Sequence, residues 1–244
     1  MDLIFGASQT TDLSRDEIAA AYPWPDAGPW VRAMMVTTLD GAAAGPDGLS
    51  GSISSAADQM VFNAVRRFAD CVLVGSGTLR AEEYTPMRAK PEDGPARAAA
   101  GQLAAPVLAI VSGSLELPWQ LPMWAESAHR PLVITNSSAA PERMDRAGDH
   151  AELVVLDEVT PRAIVKALVV RGLRRIVCEG GPRLLNDFVR SEAIDELDIT
   201  ISPTMAGSAG SPPTPLLPSP VLFRLTSVMA QESFLMARYL KEQS

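Results

Sequence analysis

The 244-residue chain is poor in the groups that do metal and disulfide chemistry. It has two cysteines, Cys71 and Cys178, and two histidines, His129 and His150. So few thiols in so long a chain exclude a disulfide framework and fit a reducing compartment. Two histidines cannot assemble a zinc site of the usual ligand spacing, so no metal is expected. Positive charge is also short: 21 Lys and Arg against 29 Asp and Glu give a net charge of −8. That balance argues against nucleic acid or an anionic membrane as a partner of the whole surface, and leaves a local basic pocket open. No run approaches the roughly 20 apolar residues of a membrane span. The N-terminus lacks a basic flank followed by an apolar segment, so the expectation is a cytoplasmic protein without a signal peptide. Hydrophobic residues make up 47% of the chain, enough for a core and too many for disorder.

Residues 1–27 are polar and punctuated by Pro and Gly, and read as an N-terminal extension to a domain over 28–244. One short helix is expected there, Ser14 to Ala21, with Ser14 and Glu17 spaced as a capping box. "VRAMMVTTLDG" reads as a buried strand ending in an acidic turn. "SSAADQMVFNAVRRFAD" puts Met60, Val61, Ala64, Val65 and Phe68 on one face of an amphipathic helix. "CVLVGSGT" is a strand entering a glycine turn. Residues 88–104 read as loop. "VLAIVS", "PLVIT" and "ELVVL" are further strands, and Thr160 caps a helix with Pro161 at its first position. "RRIVCEGGPRLLNDFVR" reads strand, Glu-Gly-Gly, helix. "ELDITISP" alternates as a strand, "SAGSPPTPLLPSP" is a Pro-rich loop, and "LFRLTSVMA" and "SFLMARYL" are two adjacent strands expected to be antiparallel. No internal repeat is visible. Strands alternating with helices imply an α/β fold with a mixed, mostly parallel sheet flanked by helices. Ligands then bind beyond the carboxyl ends of the strands, where "TTLDG", "GSGT" and "EGG" fall together.

Gly75 and Gly77 flank Ser76 at one strand end, and Gly180 and Gly181 precede Pro182 at another. Such pairs suit either a phosphate cradle at a helix N-terminus or a tight turn that needs left-handed glycine. Neither has the spacing of a Walker loop or a Rossmann fingerprint. Asp40 suits a turn before Gly41 as well as a functional site. Glu179, ending an apolar strand, must be paired, hydrogen-bonded or functional, either capping amides or holding a polar heterocycle. Arg66 and Arg67 suit a helix C-terminus, and Arg88 a loop.

In order and spacing, "TTLDG", "SGSISS", "RRFAD", "CVLVGSGTLRAEE", "EGGPRLLNDFV" and "DELDITISP" resemble the pyrimidine reductases of riboflavin biosynthesis, within the dihydrofolate-reductase-like superfamily. The likeness covers roughly residues 28–240. The His-x-Glu and Pro-Cys-x-x-Cys signature of the deaminase fused to many such reductases is absent, so the chain resembles the stand-alone, actinobacterial-type form. The resemblance implies a dihydrofolate-reductase-like fold, a homodimer, and NADPH delivering hydride to C1′ of 5-amino-6-(5-phosphoribosylamino)uracil. Reduction of dihydrofolate or another pterin, or nucleotide binding without catalysis, are the alternatives. It also implies a cofactor site at Gly75, Ser76, Gly77, Thr78, Glu82, Gly180, Gly181, Pro182, Arg183 and Leu184. Asp40 and Glu179 become catalytic, and Ser50, Arg66, Arg88 and Glu179 hold the substrate, with the two arginines on its phosphate. Two motifs depart from the family: Ser52-Ile53-Ser54 stands where Trp-Ile-Thr is common, and Glu82-Glu83-Tyr84 where Asp-Asp-Pro is common.

Overall fold

In the computed structural model, residues 1–6, 10–82, 84–207, 217 and 219–242 are described. Glu83 and most of the Pro-rich loop expected at 208–220 lie outside them. The strands are β1 (Asp2–Phe5), β2 (Trp30–Thr37), β3 (Cys71–Gly75), β4 (Val107–Val111), β5 (Leu132–Asn136), β6 (Glu152–Leu156), β7 (Arg175–Cys178), β8 (Glu196–Ile201), β9 (Phe223–Gln231) and β10 (Phe234–Lys241). They form one sheet in the order β1-β9-β10-β8-β2-β7-β3-β4-β5-β6. From β8 to β6 all neighbours are parallel, whereas β10, β9 and β1 continue antiparallel beyond β8. The mixed, mostly parallel sheet is the architecture expected.

The helices are α1 (Arg15–Ala20), α2 (Ala56–Arg66), α3 (Ser76–Ala81), α4 (Gly94–Ala99), α5 (Met123–Glu126), α6 (Pro141–His150), α7 (Pro161–Val170) and α8 (Pro182–Arg190). Parallel strands buried on both faces read as unbroken apolar runs, and Cys71 to Val74 are fully buried accordingly. On one face Leu73, Ala109 and Ile134 pack with Ile164, Leu168 and Phe188 of α7 and α8. On the other, Val72, Leu108 and Val133 pack with Trp119, Met123 and Trp124. Burial pushes both thiols up, that of Cys178 to about 12, so neither is a nucleophile near neutrality.

The first 27 residues do not trail from the domain. β1 pairs with β9, and Leu13, Ile18 and Tyr22 enter a third core cluster with Val61, Met229 and Met236. The helix expected there forms with Ser14 as its cap and Glu17 closing the capping box. Tyr22 and Pro23 also supply carbonyls to Arg32, at 3.2 and 3.0 Å, and the Trp24 ring lies 4.1 Å from its guanidinium. Arg32 is fully buried on β2, paired with Glu196 of β8 at 2.9 Å, and Arg238 of β10 donates to the same carboxylate. Burial and the nearby Glu196 push the Asp198 carboxyl well above its ordinary range. Residues 88–104 are not all loop either. Arg97 of α4 is buried and donates to the carbonyls of Leu103, Arg67 and Ala69. A side chain that must satisfy three distant carbonyls leaves no local periodicity to read.

Candidate active site

β3 and β7 are neighbours, so their glycine turns meet at one edge of the sheet. The Glu179 N–H donates to the Leu73 carbonyl at 2.9 Å, and the Gly75 N–H donates to the Gly180 carbonyl at 2.7 Å. Gly180 takes φ +78°, a conformation that favours glycine. The Gly181 N–H donates to Thr78 Oγ1 at 2.8 Å, and a Cβ on Gly181 would fall 2.6 Å from that oxygen. The two turns are thus stitched together, and both positions exclude side chains for a reason of space or conformation. α3 and α8 start from these turns, and no side chain caps either helix. The first-turn amides, which in α8 begin at Arg183 because Pro182 has no N–H, therefore have no side-chain acceptor.

The turns border a cleft of about 1010 Å³. Its other wall comes from the segment around Ser50 and from Ser54, Asp58, Gln59, Phe62 and Arg66 along α2. Glu179 directly follows β7 on the cleft floor and is almost wholly buried. Arg66 donates to it from Nε and Nη2, at 2.5 Å each, and lies 4.1 Å from the Phe62 ring. The Tyr84 hydroxyl donates to Glu179 Oε2 at 2.9 Å. Burial and the adjacent carboxylate push that hydroxyl well above its ordinary range, so Tyr84 stays protonated.

A glycine-built anion cradle joined to a side-chain-lined compartment in one cleft is a setting for a nucleotide beside a second ligand. Residues 29–233 match the family model of the RibD C-terminal domain. The chain belongs to that family. It is 26% identical over 186 residues to the 2,5-diamino-6-ribosylamino-4(3H)-pyrimidinone 5′-phosphate reductase of Archaeoglobus fulgidus, covering 75% of this chain and 84% of that protein. It is 29% identical over 186 residues to the enzyme of the same name from Methanothermobacter thermautotrophicus, covering 73% and 80%. The structure of a pyrimidine reductase-like protein from Corynebacterium diphtheriae superimposes with a TM-score of 0.81 over 95% of this chain and 100% of that one, at 24% identity, a likeness of fold.

In this RibD-family chain most of the residues expected from sequence line the cleft: Ser50, Arg66, Glu179, and the glycine-turn residues from Gly75 to Thr78 and from Gly181 to Leu184. Gly180 contributes its carbonyl to the stitch. Glu82 also lines the cleft, but its carboxylate accepts the Ser50 N–H at 2.8 Å and so ties the cleft's two walls together. Two expected residues are elsewhere. Arg88 is exposed and pairs with Glu126 at 3.0 Å, so the expected Arg66–Arg88 clamp does not form. Asp40 is exposed outside the cleft lining. It accepts from the Thr38 hydroxyl at 2.5 Å and from the N–H groups of Gly207 and Ala206, which hold its carboxyl below the usual range. These bonds give Asp40 a place in the turn. Glu179 and Arg66 are in place and paired with each other.

Asp58 was not expected at the site. It is 6% exposed, and its Oδ2 accepts the Ser54 hydroxyl at 2.5 Å. Ser55, not Asp58, caps α2 by accepting the Asp58 N–H. Asp58 Oδ1 has no hydrogen-bond partner among the described residues, and no cation pairs with it. A signal was present in the sequence. Asp58 falls on the stripe of Ala57, Val61, Ala64 and Val65, the buried face of α2, while Met60, expected on that face, is 40% exposed. A carboxylate on a buried stripe needs an explanation that a capping role does not give.

Proposed function

We propose that the chain is an NADPH-dependent reductase of a phosphoribosylated aminopyrimidine in riboflavin biosynthesis, acting at C1′ of the ribosyl group. The observation that carries this reading is the stitched pair of glycine turns beside the α2 compartment, in a chain whose relatives are named as reductases of such a compound. The residues present suit a dinucleotide. The uncapped amides opening α3 and α8 would hold its phosphates, and the Thr78 hydroxyl, which accepts from Gly181, keeps its own proton to donate. Arg80 is committed to the Glu116 carbonyl, whereas Arg183 has no partner among the described residues and is the cation available to a cofactor phosphate. A bound reduced nicotinamide would supply hydride chemistry to C1′ of the open-chain, imine form of the substrate.

The chain's own part is to align and enclose. Arg66, Glu179 and Tyr84 form a unit on the floor, with the Arg66 guanidinium lining the cleft beside the substrate. No His, Cys or Lys lines the cleft among the described residues. The Tyr84 proton is given to Glu179, and in this reading solvent or a substrate hydroxyl delivers the proton to the imine nitrogen. A homodimer fits the same reading. Leu197, Ile199 and Ile201 of β8 align by register with Tyr239 and Leu235 of β10 as a partly exposed apolar sheet face, and a second copy would cover it. Light scattering at micromolar concentration should give twice the chain mass. Turnover is tested by following NADPH oxidation with the ribosylaminopyrimidine phosphates. Bound NADPH without turnover of any of them would overturn the reading.

A further inference from the structure

Glu179 and Asp58 are the two almost fully buried carboxylates of the cleft, and their situations differ. Glu179 is charge-paired with Arg66 and also accepts from Tyr84. Asp58 is held on one oxygen by Ser54, and the other has no partner among the described residues. That oxygen opens on the cleft, and a ligand seated there displaces its water, so a ligand that donates hydrogen bonds to the carboxylate replaces what the water gave and one that does not leaves it stranded. None of the residues outside the described set carries a positive charge, so no cation of this chain is left to fill that role from them.

From this we infer that Asp58 selects a ligand with two adjacent N–H donors, the 2-amino group and neighbouring ring N3–H of a 2-amino-4-oxopyrimidine. A carboxylate matches that edge with both oxygens, since Oδ2 retains a lone pair beside the Ser54 bond. A uracil presents a carbonyl at the 2-position instead. Its oxygen would face Asp58 with lone pair against lone pair and leave the carboxylate half satisfied. The inference deepens, and rests on, the reading of the chain as a ribosylaminopyrimidine reductase. It assigns the 2,5-diamino-pyrimidinone compound as substrate in preference to 5-amino-6-(5-phosphoribosylamino)uracil. Reduction then comes before the 2-amino group is lost, and a deaminating reaction must act on this enzyme's product. The same donor edge occurs in pterins, so the assays include both sources.

The decisive measurement compares kcat/KM for the diamino compound, its uracil counterpart and dihydrofolate, in the wild type and in Asp58→Asn. The amide keeps the size of the side chain, and retained NADPH binding checks that the variant is folded. The wild type should prefer the diamino compound over the uracil by about 30-fold or more, and Asp58→Asn should shrink that ratio to within a few fold. A wild type that prefers the uracil, or a variant that loses both substrates equally, overturns the inference and leaves the reductase reading intact. Calorimetry with two bare rings, 2,6-diaminopyrimidin-4-one and 6-aminouracil, separates the claims without turnover. Asp58-dependent preference for the diamino ring with no reductase activity sustains the donor-edge inference and overturns the proposed function. Asp58-dependent turnover of dihydrofolate alone sustains the edge and moves its source to a pterin. Equal binding of both rings overturns the inference.

Discussion

At one end of the cleft the working groups are main-chain amides and carbonyls, fixed where β3 and β7 pair. At the other they are side chains, and the central pair, Arg66 and Glu179, lies 113 positions apart in sequence. The glycine end is specified by what must be absent, a Cβ and a cap. The α2 end is specified by which charge meets which. The first kind of site tolerates almost no substitution at its key positions, because any side chain is too much. The second kind can be retuned one residue at a time, as long as each buried charge keeps a partner.

The sharpest break of the first end is Gly181→Val. A Cβ 2.6 Å from Thr78 Oγ1 would push the turn away from its amide geometry. Losing two charge-assisted hydrogen bonds to phosphate at about 1.5 kcal/mol each predicts roughly a hundredfold weaker NADPH binding by calorimetry. The reductase reading loses its cradle if that affinity survives.

Arg66→Ala breaks the second end and tests whether its charges act as a unit. It strands Glu179, whose side chain is 3% exposed, with only the Tyr84 hydroxyl. Removing one partner of a largely buried pair should cost about 3 kcal/mol in urea unfolding. Adding Glu179→Gln to Arg66→Ala should return much of that loss, since no unpaired charge then remains. Independent, additive losses would mean that the pair is not coupled.

The smallest effect is expected from Arg88→Ala. The residue is 61% exposed on the side chain and its partner Glu126 is 57% exposed. An exposed pair of this kind contributes about 0–1 kcal/mol, and kcat/KM should stay within about twofold of the wild type. A large loss of activity would return Arg88 to the substrate and contradict its placement outside the cleft.

The glycine end was legible in the sequence because its requirements are local. An apolar strand, a glycine pair and a proline opening a helix are neighbours in the chain, and each carries a conformational meaning. The charged end was only half legible. Glu179 and Arg66 could be nominated singly, but nothing in either neighbourhood says that they bind each other across the fold. Arg88 and Asp40 sit in motifs that resemble functional ones, and their partners come from elsewhere in the chain: Glu126 for the first, the backbone of Ala206 and Gly207 for the second. Asp58 was missed for the opposite reason. An acid in the first turn of a helix looks ordinary until its capping neighbour, Ser55, is seen to do that work. The integration of the first 27 residues was illegible because their polar, Pro-punctuated composition hides Leu13, Ile18 and Tyr22, whose burial depends on strands far away.

That integration gives the N-terminal segment a part that no alignment boundary suggests. The family match begins at residue 29, three positions before Arg32. A guanidinium in water is surrounded by oxygen lone pairs, and inside the sheet one corner of Arg32 keeps such company: its Nη2 donates to the carbonyls of Tyr22 and Pro23 and to the Glu196 carboxylate, and the face of Trp24 closes one side. The leading segment acts as a piece of solid solvent, covalently attached and already oriented. A chain trimmed to the family boundary would keep every residue of the cleft and lose the hydration substitute of its central strand.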